Sequence, residues 1–185
     1  GVERLGGAGA RFIQLRLKDM PSEEIRAQAE TAQELAARHN VALVLNDYWE
    51  LAIELGYEWL HLGQEDLETA DLEAIRQTGI RLGISTHSHE ELQRALACKP
   101  DYVALGPIWE TKLKKMAFGP QGVERLTEWR ELSGDVPLVA IGGITLDRLP
   151  SCLKAGADSV AAVSDFIRAE DPESQVRQWL AAADT

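Results

Sequence analysis

The 185-residue chain reads as an α/β protein, a (β/α)8 TIM barrel, on three observations. Short apolar runs suited to strands alternate with stretches of helical periodicity, the signature of a parallel sheet. Polar residues gather at the C-terminal end of nearly every strand-like run, where barrel enzymes build their sites. No linker, low-complexity tract or charge block interrupts the alternation, so residues 1–185 are expected to form a single domain. A doubly wound sheet shares the alternation but concentrates its site at one switch point, so the spread of polar ends favours the barrel. Seven strands can be counted and the chain opens on a helix. The first barrel strand is therefore expected upstream of Gly1, leaving the domain truncated at its N-terminus.

Val2 to Ala10 reads as the end of a helix stopped at Gly6-Gly7, leading into a strand over Arg11–Asp19. In that strand Ile13, Leu15 and Leu17 share one face and Gln14, Arg16 and Lys18 the other. Ser22 is a suitable N-cap for a helix running to His39, with Glu23 and Glu24 at its positive end. A strand at Val41–Leu45 runs into Asn46-Asp47. A short helix over Tyr48–Leu55 ends at Gly56, and a strand over Glu58–Leu62 closes on Gly63-Gln64-Glu65-Asp66. The spacing next predicts a helix over Asp71–Thr78, a strand over Arg81–Ser85 and a helix over Glu90–Ala97. A strand over Asp101–Gly106 follows, then a long polar connection over Glu110–Gln121 and a helix from Gly122 to Leu132. Pro137–Ile141 is a strand ending in Gly142-Gly143, and Leu146–Ala155 a helix. Ser159–Val163 is a strand ending at Ser164, and Glu173–Ala182 the last helix.

Composition narrows the function. A formal charge of -11 argues against nonspecific binding to nucleic acid, which needs a basic surface. No apolar stretch is long enough to span a membrane. Cys98 and Cys152 have no metal-ligand spacing, consistent with reduced thiols in a cytoplasmic protein. Any anionic ligand must then be held by a local cluster of cations or by a metal.

Such a cluster is present. Gln14, Arg16 and Lys18 would be costly inside a sheet covered on both faces, unless an anion at the strand's end satisfies them. Asp47 and Asp66 follow consecutive strands and should face the same mouth. Two carboxylates beside an anion site suit Mg2+, whereas two helix-capping aspartates would be the structural alternative. Lys112, Lys114 and Lys115 lie on the long loop, in reach of a diphosphate. Gly142-Gly143 and Ser164 end the last two strands, whose loops often build a phosphate site from backbone N–H groups. His87 and His89 complete no catalytic dyad, and no general base stands out.

Taken together, Gln14-Leu15-Arg16-Leu17-Lys18-Asp19, Asn46-Asp47, His61-Leu62-Gly63-Gln64-Glu65-Asp66, Gly83-Ile84-Ser85-Thr86-His87, Leu105-Gly106-Pro107, Ala140-Ile141-Gly142-Gly143-Ile144 and Val163-Ser164 resemble the thiamine-phosphate synthase family. The resemblance spans nearly the whole chain. It implies a (β/α)8 barrel and a transferase of thiamine biosynthesis. That enzyme joins 4-amino-5-hydroxymethyl-2-methylpyrimidine diphosphate to 4-methyl-5-(2-phosphoethyl)thiazole, releasing diphosphate by a dissociative, Mg2+-assisted substitution. Gln14, Arg16, Lys18, Asn46, Ser85 and Lys114 would hold the pyrimidine diphosphate, with Arg16, Lys18 and Lys114 catalytic. Asp47 and Asp66 would bind Mg2+. Thr111, Gly143, Val163 and Ser164 would hold the thiazole phosphate. The resemblance also marks one departure, Leu113, where the family usually has a threonine. Two other readings use the same barrel: a thiazole tautomerase, which needs neither diphosphate nor metal, and a catalytically silent binding barrel. Retention of Arg16, Lys18, Asp47 and Asp66 together counts against the tautomerase.

Overall fold

The computed structural model describes residues 12–110 and 119–161, with Ser174, Arg177, Gln178 and Ala181 of the C-terminal stretch. Its seven strands are β1 (Phe12–Leu15), β2 (Ala42–Asn46), β3 (Trp59–Leu62), β4 (Arg81–Thr86), β5 (Tyr102–Leu105), β6 (Leu138–Ile141) and β7 (Ser159–Ala161). Within each unit neighbouring strands follow sequence order. The helices are α1 (Ser22–Arg38), α2 (Trp49–Leu55), α3 (Gln64–Thr69), α4 (Leu72–Gln77), α5 (His89–Ala97), α6 (Val123–Ser133) and α7 (Leu149–Lys154). A 3-10 turn over Leu146–Arg148 precedes α7. The chain divides into two compact units between Gly83 and Ile84, within β4.

In the first unit β1 pairs in parallel with β2, and β2 with β3, with Gln14 opposite Val44 and Asn46 opposite His61. The core is built from Val44 and Leu45 of β2 and Leu60 and Leu62 of β3. Ala29 of α1, Ala52 of α2 and Ile75 of α4 cover it, all essentially inaccessible. Unbroken apolar strands and small residues on the covering helices are what a sheet buried on both faces requires. In the second unit β5 pairs with β6 and β6 with β7, again in parallel. All four residues of β5 are buried, and Leu126 and Trp129 of α6 pack into this core.

Three local expectations are corrected. Strand β1 stops at Leu15, so Arg16 and Lys18 lie beyond its end, exposed, and no burial cost attaches to them. Ser22 is the first helical residue of α1 rather than its N-cap; that position falls to Pro21, which offers no side-chain acceptor. Gly63–Asp66, read as a strand-closing loop, opens α3, because Asp66 accepts from the Gly63 N–H at 2.9 Å and caps the first turn. Elsewhere among the described residues boundaries move by a few residues at most; the helices expected over Val2–Ala10 and Glu173–Ala182 fall wholly or largely outside them. The stretch Leu146–Ala155 divides into the 3-10 turn and α7, and Pro150 near the start of α7 suits a helix's first turn. Cys98 and Cys152 are both free thiols. Among the described residues no helix is long and apolar enough to cross a membrane.

Candidate active site

The first unit carries the cation and carboxylate cluster. Gln14, on β1, donates from Nε2 to Asn46 Oδ1 at 2.9 Å across the β1–β2 pair. That bond satisfies a largely buried amide and turns the Asn46 side chain toward β1. One residue on, Asp47 leaves the strand with φ 68°, and its N–H donates to the His61 carbonyl at 2.9 Å. Lys18 Nζ lies 3.5 Å from Asp47 Oδ2, with 43% of the lysine side chain and 25% of the aspartate's exposed. The pair is half-solvated, so it orients Asp47 more than it stabilises the fold.

Asp66 completes the cluster from the first turn of α3. Burial pushes the Asp47 carboxyl above the usual carboxylate range, and the nearby Asp66 charge and an Asp47–Asp66 hydrogen bond push the same way. Lys18 pulls only part of this back. An Asp47 carboxylate crowded in this way by Asp66 is held at a cost that a divalent cation would relieve. A cleft of about 400 Å3 opens beside them, lined by Lys18, Asp19, Asp47, Tyr48 and Asp66. Among the described residues no three His, Cys, Asp or Glu side chains cluster as a ligand set. Two carboxylates facing an open cleft fit Mg2+, which takes one or two carboxylates and fills its shell with water and phosphate oxygens. Asp66 serves both readings weighed above, since it caps α3 with Oδ2 while standing in the cluster.

The sequence offered no reason to single out Asp19 or Tyr48. Asp19, Asp47 and Tyr48 all have positive φ, at 59°, 68° and 30°. Asp tolerates that conformation, but Tyr does so only at a cost, so the cleft is lined by a strained backbone. Tyr48 Oη donates to the Leu17 carbonyl at 2.6 Å, fixing the segment that carries Arg16 and Lys18. Asp47 was legible in sequence from its place directly after a strand, as Asp66 was after the next. Tyr48 carried no such signal.

In the second unit Ser85 is half-buried on β4. Its neighbour Thr86 is fully buried, donates from Oγ1 to the Ala104 carbonyl at 2.7 Å and accepts from Trp129 Nε1 at 2.8 Å. His87 is engaged twice by Glu91 Oε2, through its backbone N–H at 2.6 Å and ring Nδ1 at 2.9 Å. His89, exposed, pairs with Glu128. Gly142 and Gly143 have φ of 93° and 66°. A Cβ at Gly142 would meet Pro107 at 2.7 Å, and one at Gly143 would meet Trp109 at 2.8 Å. The glycine pair is thus required for close packing against the segment after β5, beyond any ligand it admits. Thr111, Leu113, Lys114, Val163 and Ser164, and with them Lys112 and Lys115, lie outside the described residues.

Comparison with known proteins bears on the whole chain. The family model for thiamine monophosphate synthase matches residues 1–166. The thiamine-phosphate synthase of Rhizobium etli is 55% identical over 181 residues, 98% of this chain and 89% of that protein. That of Citrobacter koseri is 49% identical over 182 residues, 98% of this chain and 86% of that protein. Among solved structures, the thiamine phosphate pyrophosphorylase from Pyrococcus furiosus superposes with a TM-score of 0.86 at 27% identity, covering 99% of this chain and 87% of the other. By sequence and by fold, this chain belongs to the thiamine monophosphate synthase family of transferases.

Proposed function

We propose that this chain is a thiamine-phosphate synthase that joins 4-amino-5-hydroxymethyl-2-methylpyrimidine diphosphate to 4-methyl-5-(2-phosphoethyl)thiazole. The observation that carries the reading is the Lys18–Asp47–Asp66 cluster at an open cleft, in a chain 55% identical to a curated synthase. The reading includes a single (β/α)8 domain acting in the cytoplasm on two small molecules.

The reaction asks the protein for charge and position rather than for a base. Departure of diphosphate leaves a cationic methylene on the aminopyrimidine, and the thiazole nitrogen then attacks it. Arg16 and Lys18, exposed beyond the end of β1, neutralise charge growing on the leaving diphosphate, with Lys114 in the same role from the loop after β5. Mg2+, bound by Asp47 and Asp66, would add a Lewis acid at that diphosphate. Gln14 and Asn46, already bonded to one another, present a fixed polar edge beside it, and Ser85 contacts the pyrimidine. Thr111, Gly143, Val163 and Ser164 hold the thiazole phosphate. Held together, the two substrates react as if at very high local concentration.

The test is thiamine phosphate formation from both substrates, with Mg2+ and again with EDTA. Mg2+-dependent product is expected. A folded protein that makes none, or makes it equally well in EDTA, would overturn the reading or its metal assignment respectively.

A further inference from the structure

Arg148, at the end of the 3-10 turn after β6, does something that the reading above leaves unused. Its Nη1 donates to the Gly143 carbonyl at 2.6 Å, and its guanidinium lies 4.9 Å from the centroid of the Trp109 ring. Trp109 in turn donates its backbone N–H to the Gly142 carbonyl at 3.1 Å, and Ile108 donates to the Ile141 carbonyl at 3.0 Å. Both carbonyls of the glycine pair are therefore occupied, one by backbone and one by the arginine.

A peptide unit is planar and trans, so its N–H points away from its own C=O. Holding the Gly142 carbonyl toward Trp109 aims the Gly143 N–H the opposite way, and holding the Gly143 carbonyl toward Arg148 does the same for the Ile144 N–H. Neither amide donates to an acceptor among the described residues. Two consecutive backbone N–H groups without an acceptor of their own, beside glycines of positive φ, are donors that an anion can take. Glycine gives this segment the freedom to adopt other peptide orientations, so something must hold the useful one.

We propose that Arg148, stacked on Trp109 and bonded to the Gly143 carbonyl, is a positioning residue that orients the Gly143 and Ile144 amides toward the phosphate of the thiazole substrate. This rests on the synthase reading above. Arg148 touches no substrate itself; it acts through the backbone. Its planar guanidinium suits it to stacking and donating at once, which lysine's compact ammonium does less well.

The experiment compares the full chain with Arg148→Met and Arg148→Lys, measuring KM for each substrate, kcat and thermal midpoint. Arg148→Met keeps a stem over Trp109 but loses the donor. Its KM for the thiazole phosphate is expected to rise about tenfold, the loss of one hydrogen bond from a charged donor. Its KM for the pyrimidine diphosphate should stay within about twofold, and Arg148→Lys should recover part of the loss. With the phosphate-free thiazole alcohol as substrate, parent and Arg148→Met should perform alike. An unchanged KM for the thiazole phosphate, or KM values for both substrates rising together, would overturn the role of Arg148. A parent that makes no thiamine phosphate, or that fails to distinguish phosphate from alcohol, would instead overturn the synthase reading or its phosphate site.

Discussion

Thr86→Val removes one oxygen from the second unit's core and should cost far more than its size suggests. In the parent, Thr86 Oγ1 accepts from Trp129 Nε1 at 2.8 Å and donates to the Ala104 carbonyl at 2.7 Å, and both side chains are fully buried. Valine matches threonine in shape, so no cavity opens. The loss falls on the indole N–H, which has no water to turn to, while the Ala104 carbonyl keeps its second lone pair for the β5–β6 ladder. Each lost bond is worth about 1 kcal/mol net, and leaving a buried donor unpaired adds about 1–3 kcal/mol. The expected total is about 3 kcal/mol, or a thermal midpoint lower by about 6–12 °C in a chain of this size. Urea unfolding followed by tryptophan fluorescence measures it. Trp129→Phe in the Thr86→Val background removes the orphaned donor, so the double variant should lose less than the sum of the singles. A Thr86→Val loss below 0.5 kcal/mol, or strict additivity, would refute the reasoning and with it the view that Trp129 pins the end of β4.

Asp47→Asn should leave the chain folded, by circular dichroism, yet lower Mg2+-dependent turnover about a hundredfold or more, since a metal at the leaving group supplies several kcal/mol. Gly143→Ala should destabilise by about 2–4 kcal/mol in thermal unfolding, from a non-glycine residue at φ 66° with its Cβ 2.8 Å from Trp109. His89→Ala breaks an exposed pair with Glu128 and a tilted ring contact with Trp129, and should lower stability in urea by about 1 kcal/mol, with activity retained. Alkali should destabilise the fold. Burial pushes the Cys152 thiol up to about 11 and raises the Tyr57 and Tyr102 phenols as well. Because these folded-state values lie above the unfolded ones, the Cys152 stabilisation is complete below pH 9 and is lost as pH rises through about 11, while the two phenols lose theirs at higher pH still. For Cys152 the loss is about 2 kcal/mol, visible as a urea midpoint flat to pH 8.5 and falling above it.

The sequence by itself determined the alternation of strands and helices, because a sheet covered on both faces demands unbroken apolar runs and helices demand their own period. It also determined which side chains stand at the strand ends. Gln14, Asn46, Asp47 and Asp66 lie at or just beyond the C-terminal ends of β1, β2 and β3, whereas Arg16 and Lys18, expected within a longer first strand, lie past the end of β1. Family membership was equally legible, since the linked motifs carry it from end to end. Tertiary structure alone decided how these groups meet. The Gln14–Asn46 bond depends on a register that sets Gln14 opposite Val44 and so brings Asn46 diagonally within its reach, and the crowding of Asp47 by Asp66 depends on a helical turn at Gly63–Asp66 that reads locally as a loop. Tyr48 and Arg148 were invisible for the same reason. One lines the cleft from a left-handed backbone and the other grips a glycine carbonyl while stacked on Trp109. Periodicity records which face a residue occupies. Which atom that face brings within 3 Å is set by chain crossings and strained torsions that no local pattern encodes.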